Sequence, residues 1–129
     1  MSATLHLATF ITPRVAPLAA YWSNALCATQ HDGALRLELH LRLKAREYDA
    51  DADGVDPFEA ANAAKWRHAA RVAASLADGS LLGLSDVDVM PLRPYGELLK
   101  PLLAGSADLV TLRNPDKRAG ALNLSLIHI

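Results

Sequence analysis

Two aspartates one residue apart, Asp86 and Asp88, follow a short apolar run in Leu84-Ser85-Asp86-Val87-Asp88-Val89-Met90-Pro91-Leu92. Carboxylates are hard oxygen donors, suited to Mg2+ or Mn2+ rather than to soft metals. If the backbone bends after the apolar run, both can turn toward one ion. Such an ion bridges diphosphate oxygens and neutralises the charge that develops as a diphosphate leaves. The plainer alternative is that the two aspartates cap a turn and face water.

Other groups offer less. Asp49-Ala50-Asp51-Ala52-Asp53-Gly54 matches the opening of a calcium loop, which needs a bidentate glutamate at its twelfth position. That position is Ala60, Glu59 falls one short, and Pro57 intrudes, so a solvated acidic loop is expected. Cys27 is the single cysteine, expected as a small buried thiol in a reducing compartment; it cannot form an internal disulfide. No Cys/His grouping has zinc-ligand spacing. His6, His31, His40 and His68 are scattered, none in a triad setting with Ser or Cys, and there is no glycine-rich phosphate loop.

The elements that must position Asp86 and Asp88 alternate between strand and helix character, the α/β signature. Leu5 to Thr12 reads as a first strand, with Pro13 and Pro17 at its exit. Pro17 to Thr29 reads as a helix whose Leu18, Tyr21, Trp22, Ala25 and Leu26 form one stripe. His31-Asp32-Gly33 is a turn. From Ala34 to Lys44, leucines 35, 37, 39, 41 and 43 alternate with Arg36, Glu38, His40, Arg42 and Lys44. A strand with one polar face belongs toward a sheet edge.

Asp56-Pro57-Phe58-Glu59 starts a second helix: Asp56 caps, Pro57 takes the first position and Glu59 can close the capping box. It should run to about Ala77, end at Gly79, and bury Phe58, Trp66, Ala69, Ala70, Ala73 and Leu76. Ser80 to Ser85 is a buried strand that delivers the two carboxylates into a loop. Ligands of open α/β sheets bind just beyond the C-terminal ends of strands. Tyr95 to Ala104 reads as a helix with Leu98, Leu99, Leu102 and Leu103 inward, Ala107 to Leu112 as a strand, and Arg113 to Gly120 as a polar loop.

The chain has 129 residues, a formal net charge of −1 and 51% hydrophobic residues. That suits one domain with a real core. Without a basic excess it is not expected to bind nucleic acid, because nothing neutralises the phosphates. No apolar run is long enough to span a membrane, and the N-terminus lacks signal-peptide character. A cytoplasmic location is expected unless a membrane anchor lies outside this chain.

The order of these features resembles the GT-A-fold glycosyltransferases of the nucleotide-diphospho-sugar type. It rests on Lys65-Trp66-Arg67 in the helix, Gly79-Ser80-Leu81-Leu82-Gly83-Leu84 into the strand, and Asp86-Val87-Asp88-Val89-Met90-Pro91-Leu92. Ala107-Asp108-Leu109-Val110 and Ala121-Leu122-Asn123 also fit. The likeness spans residues 4 to about 123, specific at the two aspartates and loose elsewhere. It implies a Rossmann-like sandwich with a mostly parallel central sheet, incomplete on its C-terminal side. It implies metal-dependent transfer of a sugar from a nucleoside diphosphate sugar, with a UDP-sugar the expected donor, to the hydroxyl of an unidentified acceptor. Asp88 would ligate Mn2+ or Mg2+ directly, and Asp86 would touch the ribose or reach the metal through water. Phe10 to Thr12 would border the base, Lys65 and Arg71 would reach donor phosphates or sugar, and Asn123 would line the sugar pocket.

The family's acceptor-side carboxylate and a further metal ligand would fall after residue 123. There the chain reads Leu124-Ser125-Leu126-Ile127-His128-Ile129, a translation of the transposase mosaic end used in sequencing libraries. The expectation is a fragment, inactive alone, with a read-through tail in which His128 has no role. Two rival readings use the same aspartates. A haloacid-dehalogenase-like phosphatase would use Asp86 as nucleophile and Asp88 as general acid/base, although its motif belongs on a first strand and Met90-Pro91 departs from it. A non-catalytic nucleotide- or metal-binding domain would keep the fold without turnover.

Overall fold

The computed structural model describes residues 3–30, 33, 35–105 and, as backbone, 109–113 and 122–128. The expected turn at His31-Asp32, the first residues of the strand from Ala107, and most of the Arg113–Gly120 loop lie outside these residues.

Strand β1 (Ala3–Ile11) pairs in parallel with β2 (Leu35–Leu43) on one side and with β3 (Leu81–Leu84) on the other. Two further strands, β4 (Leu109–Arg113) and β5 (Leu122–His128), complete the sheet order β2-β1-β3-β5-β4. β5 runs antiparallel to both of its neighbours, so the sheet is mostly parallel, as expected. β5 crosses the position after Asn123 where the sequence changes character. A Leu-Ser-Leu-Ile alternation satisfies a strand whatever its origin.

Period two divides the sheet into two faces. Leu5, Leu7, Ile11, Leu35 and Leu81 pack with Trp22 and Leu26 of helix α1 (Leu18–Thr29) and with Val87. Leu99 and Leu102 close the same layer, from the segment holding α4 (Tyr95–Leu98) and α5 (Lys100–Leu103). Ala8, Leu82 and Leu84 face the other way, against Ala69 and Val72. Those two residues belong to the long helix α3 (Pro57–Ser75), which follows the short α2 (Ala50–Asp53). Helices thus cover both faces of a parallel core, the α/β arrangement that alternating strand and helix character implied.

The edge position of β2 is as expected, but its leucine face is covered only at one end. Leu35 is buried and Leu37 half-buried, whereas Leu39, Leu41 and Leu43 are exposed. The expected helix start at Asp56 is present: Asp56 Oδ1 accepts from the backbone N–H of Glu59 at 3.0 Å, with Pro57 at the first position. Gly79, at φ +85°, takes the left-handed conformation that ends the segment.

Four expectations are corrected. Phe58 and Trp66 are exposed, at 76% and 43%, and Ala70 is exposed too; the buried stripe is Ala64, His68, Ala69 and Val72. Small side chains let α3 close onto β1, and the bulky aromatics rotate away. Tyr21 is exposed on α1, because the inward stripe runs through Leu18, Ala19, Trp22 and Leu26. Cys27 is exposed as well, one residue (about 100° of helix) past Leu26. The expected single helix from Tyr95 to Ala104 is two short ones, and Leu103 is exposed. Pro101 has no N–H to give the carbonyl of Glu97, so the ladder breaks at Leu99. Among the described residues, no helix is long and apolar enough to cross a membrane.

Candidate functional site

β3 is buried along its whole length, and the chain leaves it at Ser85, whose backbone N–H still bonds Ala8 O at 3.3 Å. The chain then bends: Val89 N–H donates to Asp86 O at 3.2 Å, and Val87 drops into the core at 2% exposure. Burying Val87 turns its two neighbours outward to the same side of the loop. The main chain closes this turn, so neither carboxylate is used as its cap.

Both aspartates line one cleft of about 390 Å3, which also takes in Phe10 and Thr12 from the exit of β1, then Arg14 and Val15. Phe58, Ala61, Asn62 and Lys65 of α3 form its opposite wall. The cleft lies where the sheet order reverses. From β1 the chain crosses to β2 on one side, then returns to β3 on the other. Helices leave such a point on opposite faces of the sheet and open a crevice above the strand ends, the usual ligand position in open α/β sheets.

Lys65 Nζ sits 2.9 Å from Asp86 Oδ1 and 3.0 Å from Oδ2, so one ammonium spans the whole carboxylate. Lys65 is the more enclosed partner, and Asp86 stays about half exposed. A pair this wet contributes little to stability, and its significance is that it holds Asp86 in place. Asp88 is exposed and has no hydrogen-bond or ion-pair partner among the described residues. The donor set fits a hard divalent cation that keeps much of its water: Asp88 is free to ligate, and Asp86 has lone pairs left beside Lys65.

The segment after the aspartates is tied down by Gln30, at the end of α1. Gln30 Nε2 donates to Arg93 O at 3.0 Å, and Tyr95 N–H donates to Gln30 Oε1 at 2.7 Å. Burial pushes the Tyr95 phenol above its ordinary pKa, an effect the Ser85 hydroxyl partly offsets. Val89, Met90, Leu92, Tyr95 and Leu98 frame a more apolar cleft of about 540 Å3 beside the first.

The structure therefore brings Phe10, Thr12, Lys65, Asp86 and Asp88 together. It does not bring Arg71 there. Arg71 joins Arg42, Lys44, Arg67, His68 and Tyr48 in a separate cleft of about 220 Å3, connected to the first only through Phe10. Asn123 is placed by its backbone opposite Leu112, at the end of the sheet where β3 exits, and its side chain lies outside what is described. Phe58, expected in the core, is a cleft wall instead. Arg14 and Asn62 were not singled out by sequence, since loop and helix polar residues carry no pattern of their own.

The calcium alternative finds two of its three carboxylates engaged. Asp49 Oδ1 accepts from the N–H groups of Asp51 and Ala52, capping α2. Asp53 pairs with Arg46, with Nη1 to Oδ2 at 3.0 Å. That guanidinium holds the Asp53 carboxyl down to about 2.

One grouping was not expected. His6 Nδ1 lies 3.0 Å from His40 Nε2 and 3.8 Å from Glu38 Oε2. The pattern of β2 puts Glu38 and His40 on one face, but only the register His6↔Glu38 and Ala8↔His40 brings His6 to them.

Comparison with protein-family profiles, curated proteins and solved structures finds no match to this chain.

Proposed function

We propose that the cleft over β1 and β3 is the donor site of a metal-dependent glycosyltransferase, one that takes a nucleoside diphosphate sugar, expected to be a UDP-sugar. The observation that carries the reading is the shared cleft: two carboxylates from the end of a buried parallel strand, at the point where the sheet order reverses, with an aromatic from the end of β1 and a hydroxyl just beyond it.

Each residue has a task in this reading. Asp88, exposed and without a partner among the described residues, is the direct ligand for Mn2+ or Mg2+. Asp86, already spanned by Lys65, holds the ribose or a metal-bound water. Phe10 offers a flat face to the base and Thr12 a hydroxyl to its edge. Lys65 supplies a cation within the cleft, oriented by Asp86 toward the diphosphate. When bound, the metal supplies Lewis-acid stabilisation of the leaving diphosphate. Asn123 is the residue that the resemblance assigns to the sugar pocket.

Calorimetric titration of UDP and UDP-sugars tests this reading. Binding is expected with Mn2+ present and is expected to vanish in EDTA. Binding of equal strength without metal would contradict it. Release of phosphate from a simple phosphoester, with no nucleotide affinity, would move the assignment to the phosphatase alternative.

A further inference from the structure

The trio His6, Glu38 and His40 lies on the sheet face opposite α1, away from the aspartate cleft. We infer that it is a second metal site, specific for a borderline transition ion such as Zn2+, that clips the edge strand β2 to β1. One nitrogen from each imidazole and one carboxylate oxygen all lie within 4.8 Å of one another. Metal–nitrogen bonds of about 2.1 Å set neighbouring ligand atoms about 3.0 to 3.4 Å apart. The His6–His40 separation of 3.0 Å is already in that range. Glu38 Oε2, at 3.8 Å from His6 Nδ1, needs only a small rotation of a half-exposed side chain. Two imidazoles and a carboxylate favour Zn2+, Cu2+ or Ni2+ over Mg2+ or Mn2+, so the two sites differ in the ion they select.

The ligands are also pre-positioned. The β1–β2 register fixes His6 across from Glu38 and sets His40 two residues further along the same face. His68, buried on α3, lies 2.7 Å from His40 O through its Nε2 and pins the β2 backbone at that residue. The edge strand needs such a clip. Among the described residues its outer side pairs with no strand, and Leu39, Leu41 and Leu43 are exposed. Three protein ligands leave a further coordination position facing solvent, beside half-exposed Glu38.

The test uses the full chain with Cys27→Ser, so that the exposed thiol cannot compete. Metal-stripped protein is titrated with Zn2+ and Co2+. One ion per chain and a rise in melting temperature are expected, with a Co2+ spectrum of nitrogen and oxygen ligation. His40→Gln is expected to weaken binding by at least about 10- to 100-fold, the range that loss of even an outer-shell partner costs. Zn2+ affinity unchanged in His40→Gln, or no binding at all, would overturn the inference and leave a plain imidazole–imidazole hydrogen bond. Ring NMR of the unsubstituted chain gives a readout independent of any variant's folding. Added Cu2+ should broaden His6 and His40 before His31, His68 and His128, and broadening of those three first would also overturn it. Asp88→Ala should leave Zn2+ binding intact, so the two metal sites fail or stand separately.

Discussion

At the scale of single residues, the decisive pair is Lys65 and Asp86. An ammonium within 3.0 Å of both oxygens opposes a cation approaching the same carboxylate. Removing it in Lys65→Met should tighten binding of Mn2+ alone about fivefold, the effect of roughly 1 kcal/mol of relieved repulsion when water screens the charges as fully as in bulk. The same change should weaken UDP affinity, since the diphosphate loses a cation. Loss of both affinities together would mean that Lys65 only props the loop. A second residue-level outcome concerns Arg46 and Asp53. The folded carboxyl is lowered to about 2 from an ordinary 3.8. A depressed acid adds stability above its unfolded pKa and loses it as pH falls through the folded one. The α2 turn should therefore hold above about pH 4 and loosen progressively toward pH 2. Carboxyl NMR of Arg46→Ala should show Asp53 titrating higher than in the parent, still below its ordinary 3.8 because the Asp49 backbone N–H continues to donate to it.

At the scale of elements, the start of α3 was legible because its cap is local: Asp56 and Pro57 announce it within four residues. Asp56→Ala should cost about 1 kcal/mol in urea unfolding, the usual worth of a cap, and an unchanged midpoint would mean that the Asp56–Glu59 bond is idle. The buried face of the same helix was not legible. Alanines at 60, 61, 63, 64, 69, 70, 73 and 74 spread around its circumference, so apolarity points in no single direction. The large aromatics drew the expected stripe toward themselves, while closeness to β1 selected the small residues. His68 went inward despite its polarity because the carbonyl of His40 was there to meet it. The His6–Glu38–His40 grouping was hidden for a related reason. It depends on the pairing register of strands more than thirty residues apart in sequence, which no local pattern encodes.

At the scale of the whole molecule, the position of the cleft was legible in outline: a buried strand ending in two aspartates, after strand–helix–strand–helix, implies a crevice above the strand ends. What sequence could not supply was which walls close it. Phe58, Arg14 and Asn62 enter through the angle at which α3 crosses the sheet and through the turn after β1. Arg71 leaves it for the cationic cleft on the far side of Phe10 by the same geometry. The central claim is that Asp88 ligates the metal through which a nucleoside diphosphate is held. Asp88 is exposed and touches no partner among the described residues, so Asp88→Ala should fold like the parent, with the same melting temperature. Calorimetry of UDP with saturating Mn2+ is the direct measurement. Metal-dependent affinity should fall by roughly 100-fold or more in the variant, as loss of a direct ligand requires; UDP affinity equal to the parent's would contradict the account.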